Sequence, residues 1–369
     1  MEDGTLFERH PEWFGVDEKG QRSRQAARVF CTSNSEAVEY LTNNVIGYVQ
    51  ARPEIDIFDL WPPDGARWCE CPDCEKLGEP QDRQALLVNH VNAALKQVSG
   101  PRLEVIAYSR ALLPPRNVTL DADVLVDFCP INQSFEDQIT EASNERNAEY
   151  SEALQAWREQ FAGDISLYSY YRKYAWRSMP VVFPEYMQDD IRWYAVLPLQ
   201  GVSSYAEPGD WATYELNHYM LGRLAWEPEQ DVHEHSKQFA QARFGEQWEL
   251  GLQTYRLLER VVPRYSSIPF TSLKSAPEIE RRRGEVVDLM SRLRPAAEQS
   301  EAMQRLVVAL EHVQRDLEIQ QMRASDANEA DVRAKILELV AFLEQHKESG
   351  VVLMRGEDEG RFLRRYGLK

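Results

Sequence analysis

The segment Phe58-Asp59-Leu60-Trp61-Pro62-Pro63-Asp64-Gly65 carries the residue types of a sugar site. An apolar run ends in an indole, two prolines with narrow φ and no N–H stiffen the backbone, and a carboxyl group follows. An indole stacks on the face of a pyranose, and a protonated acid beside it donates to the glycosidic oxygen. Asp64-Gly65 reads equally well as turn chemistry, so both readings stand at this stage. The reaction needs a second carboxylate. Glu207, in Ser203-Ser204-Tyr205-Ala206-Glu207-Pro208-Gly209-Asp210-Trp211, is flanked by Tyr205 and Trp211 and is our choice; Glu185 competes from the preceding loop. Tyr108, Asn132, Tyr168 and Tyr171 lie at or just beyond the ends of other apolar runs, and His218 follows the Glu207 loop. Together these tyrosines and the planar amide suit a polyhydroxylated ligand. Strand alternation puts Tyr168 and Tyr170 on one face and Tyr171 on the other.

Cys69-x-Cys71-x-x-Cys74 sets three thiols within six residues, and Cys31 and Cys129 lie elsewhere. Three close thiols and a distant fourth, Cys31, are the ligand set of a tetrahedral structural zinc. A disulfide pair and free thiols are the rival readings. A closed four-thiolate site leaves no open position, so such a zinc is structural and the chemistry requires no cofactor. His233 and His235 are two apart on a helical stretch, point in different directions, and do not share an ion. Glycine-rich nucleotide loops and Gly-x-Ser-x-Gly are absent from the sequence.

The elements that must position these groups are read from the apolar pattern. Residues 55–61, 103–109, 124–129, 165–171 and 201–205 are β-branched or aromatic runs without strict polar alternation, as in strands covered on both faces. Helical stretches separate them at 35–50 (with Ser35 as N-cap), 82–98, 147–161 and 186–195. Strands alternating with helices make βα units and a parallel sheet, whose C-terminal edge carries the active site. Five strands do not close an eight-stranded barrel. The first strand lacks the glycine-rich turn of a nucleotide fold, and the chain opens in what reads as a βα loop, so the reading is a TIM-like barrel incomplete at its N-terminus.

Beyond Trp226 the pattern is helical, at 231–244, 246–262, 278–294, 297–322 and 329–347, with Pro263 as a breaker. Met303, Leu306, Val307, Leu310 and Val313 follow three-four spacing. The expected organisation is a barrel portion over 1–265, a helical bundle over 276–350 that packs on it or mediates homo-oligomerisation, and a charged, loosely held tail over 351–369. Sixty acidic against 42 basic residues give a net charge of −18, which repels phosphate backbones and argues against nucleic acid as a partner. No apolar run reaches the roughly 18 residues of a membrane span. The first residues lack a signal-peptide pattern, which leaves the compartment open.

Several of these blocks resemble the bacterial domain-of-unknown-function family 4838. They are His10-Pro11-Glu12-Trp13-Phe14, Cys31-Thr32-Ser33-Asn34, the Trp61–Asp64 turn running into Trp68-Cys69-Glu70-Cys71-Pro72-Asp73-Cys74, and Leu167-Tyr168-Ser169-Tyr170-Tyr171. Trp211-Ala212-Thr213-Tyr214-Glu215-Leu216-Asn217-His218-Tyr219 and Arg243-Phe244-Gly245 continue the likeness, which spans residues 6–245. The resemblance implies a TIM-barrel domain related to glycoside hydrolases such as β-hexosaminidases and α-glucuronidases. By that analogy Asp64 follows the fourth barrel strand, where related enzymes carry their acid. Asp64 is followed by Gly65, so the adjacent Asp-Glu pair of hexosaminidases is not reproduced. The functional expectation is hydrolysis of a poly- or oligosaccharide with Asp64 as acid and Glu207 as nucleophile or base. The alternative is a non-catalytic carbohydrate-binding or scaffold fragment of a larger barrel protein.

Overall fold

Five parallel strands in sequential order, β1-β2-β3-β4-β5, form the sheet. Strands laid down in one direction by successive βα units are the winding of a β/α barrel; a doubly wound sheet reverses its order. The computed structural model describes residues 4–24, 29–65, 67–264, 275–355 and 358–368. The chain runs α1 (Gly4–Arg9), α2 (Ser35–Gln50), β1 (Ile57–Asp59), α3 (Pro72–Lys76), α4 (Pro80–Gln97), β2 (Arg102–Ala107) and β3 (Leu125–Phe128). It continues through α5 (Glu145–Gln160), β4 (Asp164–Ser169), α6 (Pro184–Val196) and β5 (Val202–Ser204). The helices α7 (Glu215–Trp226), α8 (Val232–Phe244), α9 (Trp248–Val261), α10 (Ala276–Ala297), α11 (Glu301–Ala324), α12 (Glu329–Gln345) and α13 (Asp358–Arg365) follow. The fold is therefore the expected one, an incomplete β/α barrel of five parallel strands followed by a helical region.

The chain divides into two compact units. The first comprises Met1–Ile131, Glu149–Tyr168 and Leu197–Ser203 and holds nearly all of the sheet. All four residues of β3 are buried, as a parallel strand covered on both faces must be. Helix α4 packs on β2 and on α2. Its start is set by Asp82, which is wholly buried and accepts hydrogen bonds from the Arg116 and Asn117 amides at 2.8 Å each. Burial pushes the Asp82 carboxyl up, but these bonds outweigh it and hold the group below its usual range. Helix α2 begins at Ser35, yet the cap is Asn34, whose side chain accepts from the Ala37 amide at 2.9 Å.

The second unit comprises Asn132–Ala148, Ser169–Val196 and Ser204–Lys369. Helix α10 lies along α11 and continues through Pro295 to Ala297, three residues past the end read from the sequence. In α11 the buried positions Met303, Leu306, Leu310, Val313 and Leu317 repeat at three-four spacing. The charged C-terminal stretch is not loosely held. Phe362, Leu363, Tyr366 and Leu368 are buried in one cluster with Ile336 and Leu339 of α12. Ahead of them, Thr213 Oγ1 donates to the Val351 carbonyl at 2.6 Å and the Leu353 amide donates to Ser178 Oγ at 2.9 Å. Its arginines stand beside apolar residues at helical spacing, a pattern hidden by bulk charge. No helix among the described residues is long and apolar enough to cross a membrane.

Candidate functional site

In the first unit, one face of the sheet carries a row of carboxyl groups. Asp59 pairs in register with Glu104, Ile106 with Asp127, and Asp127 with Ser166. Side chains two apart share a face, so Asp59, Glu104, Asp127 and Ser166 all project to the same side. Burial, then the charges of Asp127 and Asp59, push Glu104 up to about 7. Burial pushes Asp127 up to about 6, against the pull of Ser166, whose hydroxyl donates to Asp127 Oδ1 at 2.7 Å. Asp59 is raised too, first by burial. A carboxyl near 7 is protonated in part at neutral pH and can donate, while a neighbour below it accepts. The pattern reading passed over these acids because each is a single polar residue inside an apolar run. An acid in Leu-Glu-Val-Ile or Leu-Val-Asp-Phe is a buried polar group, and that is the signal that could have found it.

Beyond the strand ends lie the residues chosen from the sequence. Trp61 follows β1, is 37% exposed, and meets the Tyr168 ring edge-on at 6.1 Å. Its indole hydrogen-bonds Glu104. Tyr108, just after β2, donates from its hydroxyl to Asp64 Oδ1 at 3.3 Å. Burial and then the Asp64 charge lift the Tyr108 phenol to about 12, so it stays a donor. Trp61, Asp64, Tyr108 and Tyr168 thus belong to one neighbourhood at the C-terminal ends of β1, β2 and β4.

The remaining choices fall in the second unit. Glu207 caps the turn Pro208–Thr213 after β5. Its Oε1 accepts from the Tyr205 hydroxyl and from Arg355 Nη2, the latter at 2.6 Å. Arg355, 148 residues away in sequence, is a contact no local pattern announces. The Tyr205 ring stands 6.4 Å from Tyr170 and lies under the Arg172 guanidinium. Trp211 stacks on His218 at 4.2 Å. Burial, then the Arg172 charge, lower His218 to about 4, so the imidazole is neutral at pH 7. Behind them Arg172 and Asp210 form an ion pair at 2.5 Å, 1% and 0% exposed. Asn132 is exposed on the loop after β3. Tyr171 is only 1% exposed, packed between Phe135 and Phe183, and its ring belongs to the core; alternation separated it from Tyr168 but did not say which face was buried.

The cysteines form a third cluster, in the first unit. Cys31, Cys69, Cys71 and Cys74 are buried, no disulfide joins them, and their sulfurs lie within 4.8 Å of one another. Cys71 caps α3, its sulfur accepting from the Cys74 amide. Cys129 lies apart, buried, with its thiol pushed up by burial and by the Asp127 and Glu104 charges. Among the described residues no other group of three or more His, Cys, Asp or Glu side chains converges as metal ligands do. His233 faces Glu185 at 3.7 Å and His235 faces Arg223 at 3.4 Å.

Sheet order and βα winding define an incomplete β/α-barrel protein with a row of carboxyl groups on one face of its sheet. The chain belongs to the family described as "Domain of unknown function (DUF4838)", which it matches over residues 1–248. No curated protein matches it. Among solved structures it is similar to a chitobiase of Flavobacterium johnsoniae, at 10% identity and a TM-score of 0.33. That likeness covers 87% of this chain, which spans 58% of the chitobiase chain.

Proposed function

We propose that the chain acts in hydrolysis of a glycosidic bond in a poly- or oligosaccharide. The observation that carries this reading is the neighbourhood of Trp61, Tyr168, Tyr108 and Asp64 above the carboxyl row of the sheet. Trp61 offers a half-open indole face for a pyranose ring, and the tyrosines offer hydroxyls to its polar edge. Asp64 gives its proton to the glycosidic oxygen as the C–O bond breaks. The second carboxylate either bonds to the anomeric carbon or takes a proton from the water that does so. Glu207 keeps that second role from its position after β5, and Glu104 is the competing proton donor. No cofactor enters this chemistry, and the metal suited to the four thiols, zinc, is structural.

The test is turnover of a panel of aryl glycosides and plant and bacterial polysaccharides by the purified chain. Asp64→Asn should lower turnover by roughly 10²–10⁴-fold, the range for a lost general acid, with carbohydrate retention on affinity gels unchanged. Unaltered turnover in Asp64→Asn removes Asp64 from the role, and loss in Glu104→Gln instead transfers it. A second reading, carbohydrate binding without turnover, is favoured by the engagement of Glu207 with Arg355 and Tyr205. Retention of oligosaccharide with no released reducing ends would select it.

A further inference from the structure

The four buried thiols take no part in the carboxylate chemistry, and their spacing identifies what they hold. Cys31 Sγ stands 3.7 Å from both Cys71 Sγ and Cys74 Sγ. A disulfide would bring two sulfurs to about 2.05 Å. Four sulfurs each about 2.3 Å from a tetrahedral zinc stand about 3.8 Å from one another, the edge of that tetrahedron. These two separations match that edge, and all four sulfurs lie within 4.8 Å of one another. Soft thiolates in a closed tetrahedron select zinc over hard cations.

The surroundings suit a charged cluster. The Val16 amide donates to Cys69 Sγ at 3.3 Å and the Cys74 amide to Cys71 Sγ at 3.4 Å. Ser33 Oγ lies 3.3 Å from Cys31 Sγ and 3.2 Å from Cys74 Sγ. Zinc with four thiolates carries two net negative charges. In this acidic chain a compensating cation is Arg22, which hydrogen-bonds Cys31 and is attracted to Cys69 and Cys71. Arg22 also donates to the carbonyls of Glu12 and Phe14, so the same side chain ties down the segment before Cys31.

What the cluster joins is the more consequential point. Cys31 comes from the stretch before α2, and the other three come from the loop between β1 and α4. Around them, the Cys31 amide donates to the Trp13 carbonyl and the Glu70 amide to the Val16 carbonyl, at 2.8 and 2.9 Å. Arg83 of α4 closes the other side, donating to the Cys69 carbonyl at 2.7 Å and the Gly78 carbonyl at 2.6 Å. That same loop begins with Trp61 and Asp64, and Cys69 is five residues beyond Asp64.

We infer that a tetrahedral zinc held by Cys31, Cys69, Cys71 and Cys74 clips the N-terminal segment to the β1–α4 loop and fixes the backbone that presents Trp61 and Asp64. The inference rests on the zinc reading of the thiols and extends it: metal occupancy becomes a condition for order at the candidate acid. The experiment uses the full chain purified under reducing conditions, first for metal content, then for amide hydrogen exchange with the zinc bound and after removal by a chelator. Expected are one zinc per chain, an intense thiolate-to-metal absorption on cobalt replacement, and at least tenfold faster exchange over residues 64–74 after stripping. The amides of β3 should keep their protection. Cys31→Ser should lose the metal. Arg22→Gln, which leaves all four ligands in place, should stay folded and weaken zinc binding about tenfold. Absence of bound metal, or an iron–thiolate chromophore in place of zinc, overturns the zinc reading and the inference with it. One zinc per chain with unchanged exchange over 64–74 after stripping leaves the zinc reading standing and overturns the coupling to Asp64.

Discussion

Replacing Asp210 by alanine removes the carboxylate against which Arg172 is buried. Among the described residues three side-chain hydrogen bonds end on Asp210, from Arg172 Nη2 at 2.5 Å, Arg172 Nε at 3.3 Å and Ser178 Oγ at 2.8 Å. With the pair 1% and 0% exposed, water cannot replace the lost partner without opening the core. Breaking a buried pair from one side costs about 3–5 kcal/mol, because the surviving charge is stranded. At roughly 2–4 °C per kcal/mol, melting should fall by roughly 6–20 °C. Asp210 also lies in the turn that Glu207 caps. The assay is urea and thermal unfolding of Asp210→Ala beside the double variant Arg172→Met, Asp210→Leu. The double variant should recover most of the loss, because an apolar pair of similar volume has no charge to strand. A loss below about 1 kcal/mol in the single variant, the size of an exposed pair, would show that the guanidinium finds solvent and would refute the reasoning.

Glu104, held up to about 7 by burial and its acidic neighbours, destabilises the folded chain as pH rises. Its folded value lies above the unfolded one, so its contribution is fully present below about 4.3 and is lost as pH climbs through 7. Glu104→Gln should therefore raise the melting temperature at pH 8 by roughly 2–4 °C and leave it nearly unchanged at pH 4. An equal shift at both pH values would count against it. Asp82 works in the opposite sense: its lowered carboxyl stabilises above about 3.9, and that stability is lost as pH falls through the folded value. Asp82→Ala, which strands the Arg116 and Asn117 amides, should cost about 2–4 kcal/mol at pH 7 and flatten the melting curve's pH dependence below 4.

The strands were legible because each is a short apolar run between helices: β1, β3 and β5 lie inside the ranges read from the sequence, and β2 and β4 start one residue earlier, at Arg102 and Asp164. Helix ends were less so: Asn34 rather than Ser35 caps α2, because capping depends on which side chain turns back onto the amides. Trp61, Asp64 and Tyr108 were legible as strand-end residues, and Asp64 and Tyr108 do meet. Glu104 and Asp127 were not, since their nearness depends on strand register, which no single segment encodes. Cys31 was legible as a fourth thiol, but only tertiary structure brings it to Cys71 and Cys74. Arg355 was illegible for the same reason in stronger form, its partner being 148 residues upstream.

The strap that follows α12 sets an order of events during synthesis. The loop holding Trp176 is closed by Arg365 Nη1 on the Trp176 carbonyl, a contact 189 residues long, and the turn beneath Glu207 is closed by Thr213 on Val351, 138 residues on. At about 5–20 residues per second, a ribosome needs on the order of 10–40 s to reach Arg365 after passing Trp176. For that interval both loops are unfinished while all five strands have already been synthesised. The nascent chain therefore passes through a stage in which all five strands are synthesised and Glu207 has not yet met Arg355.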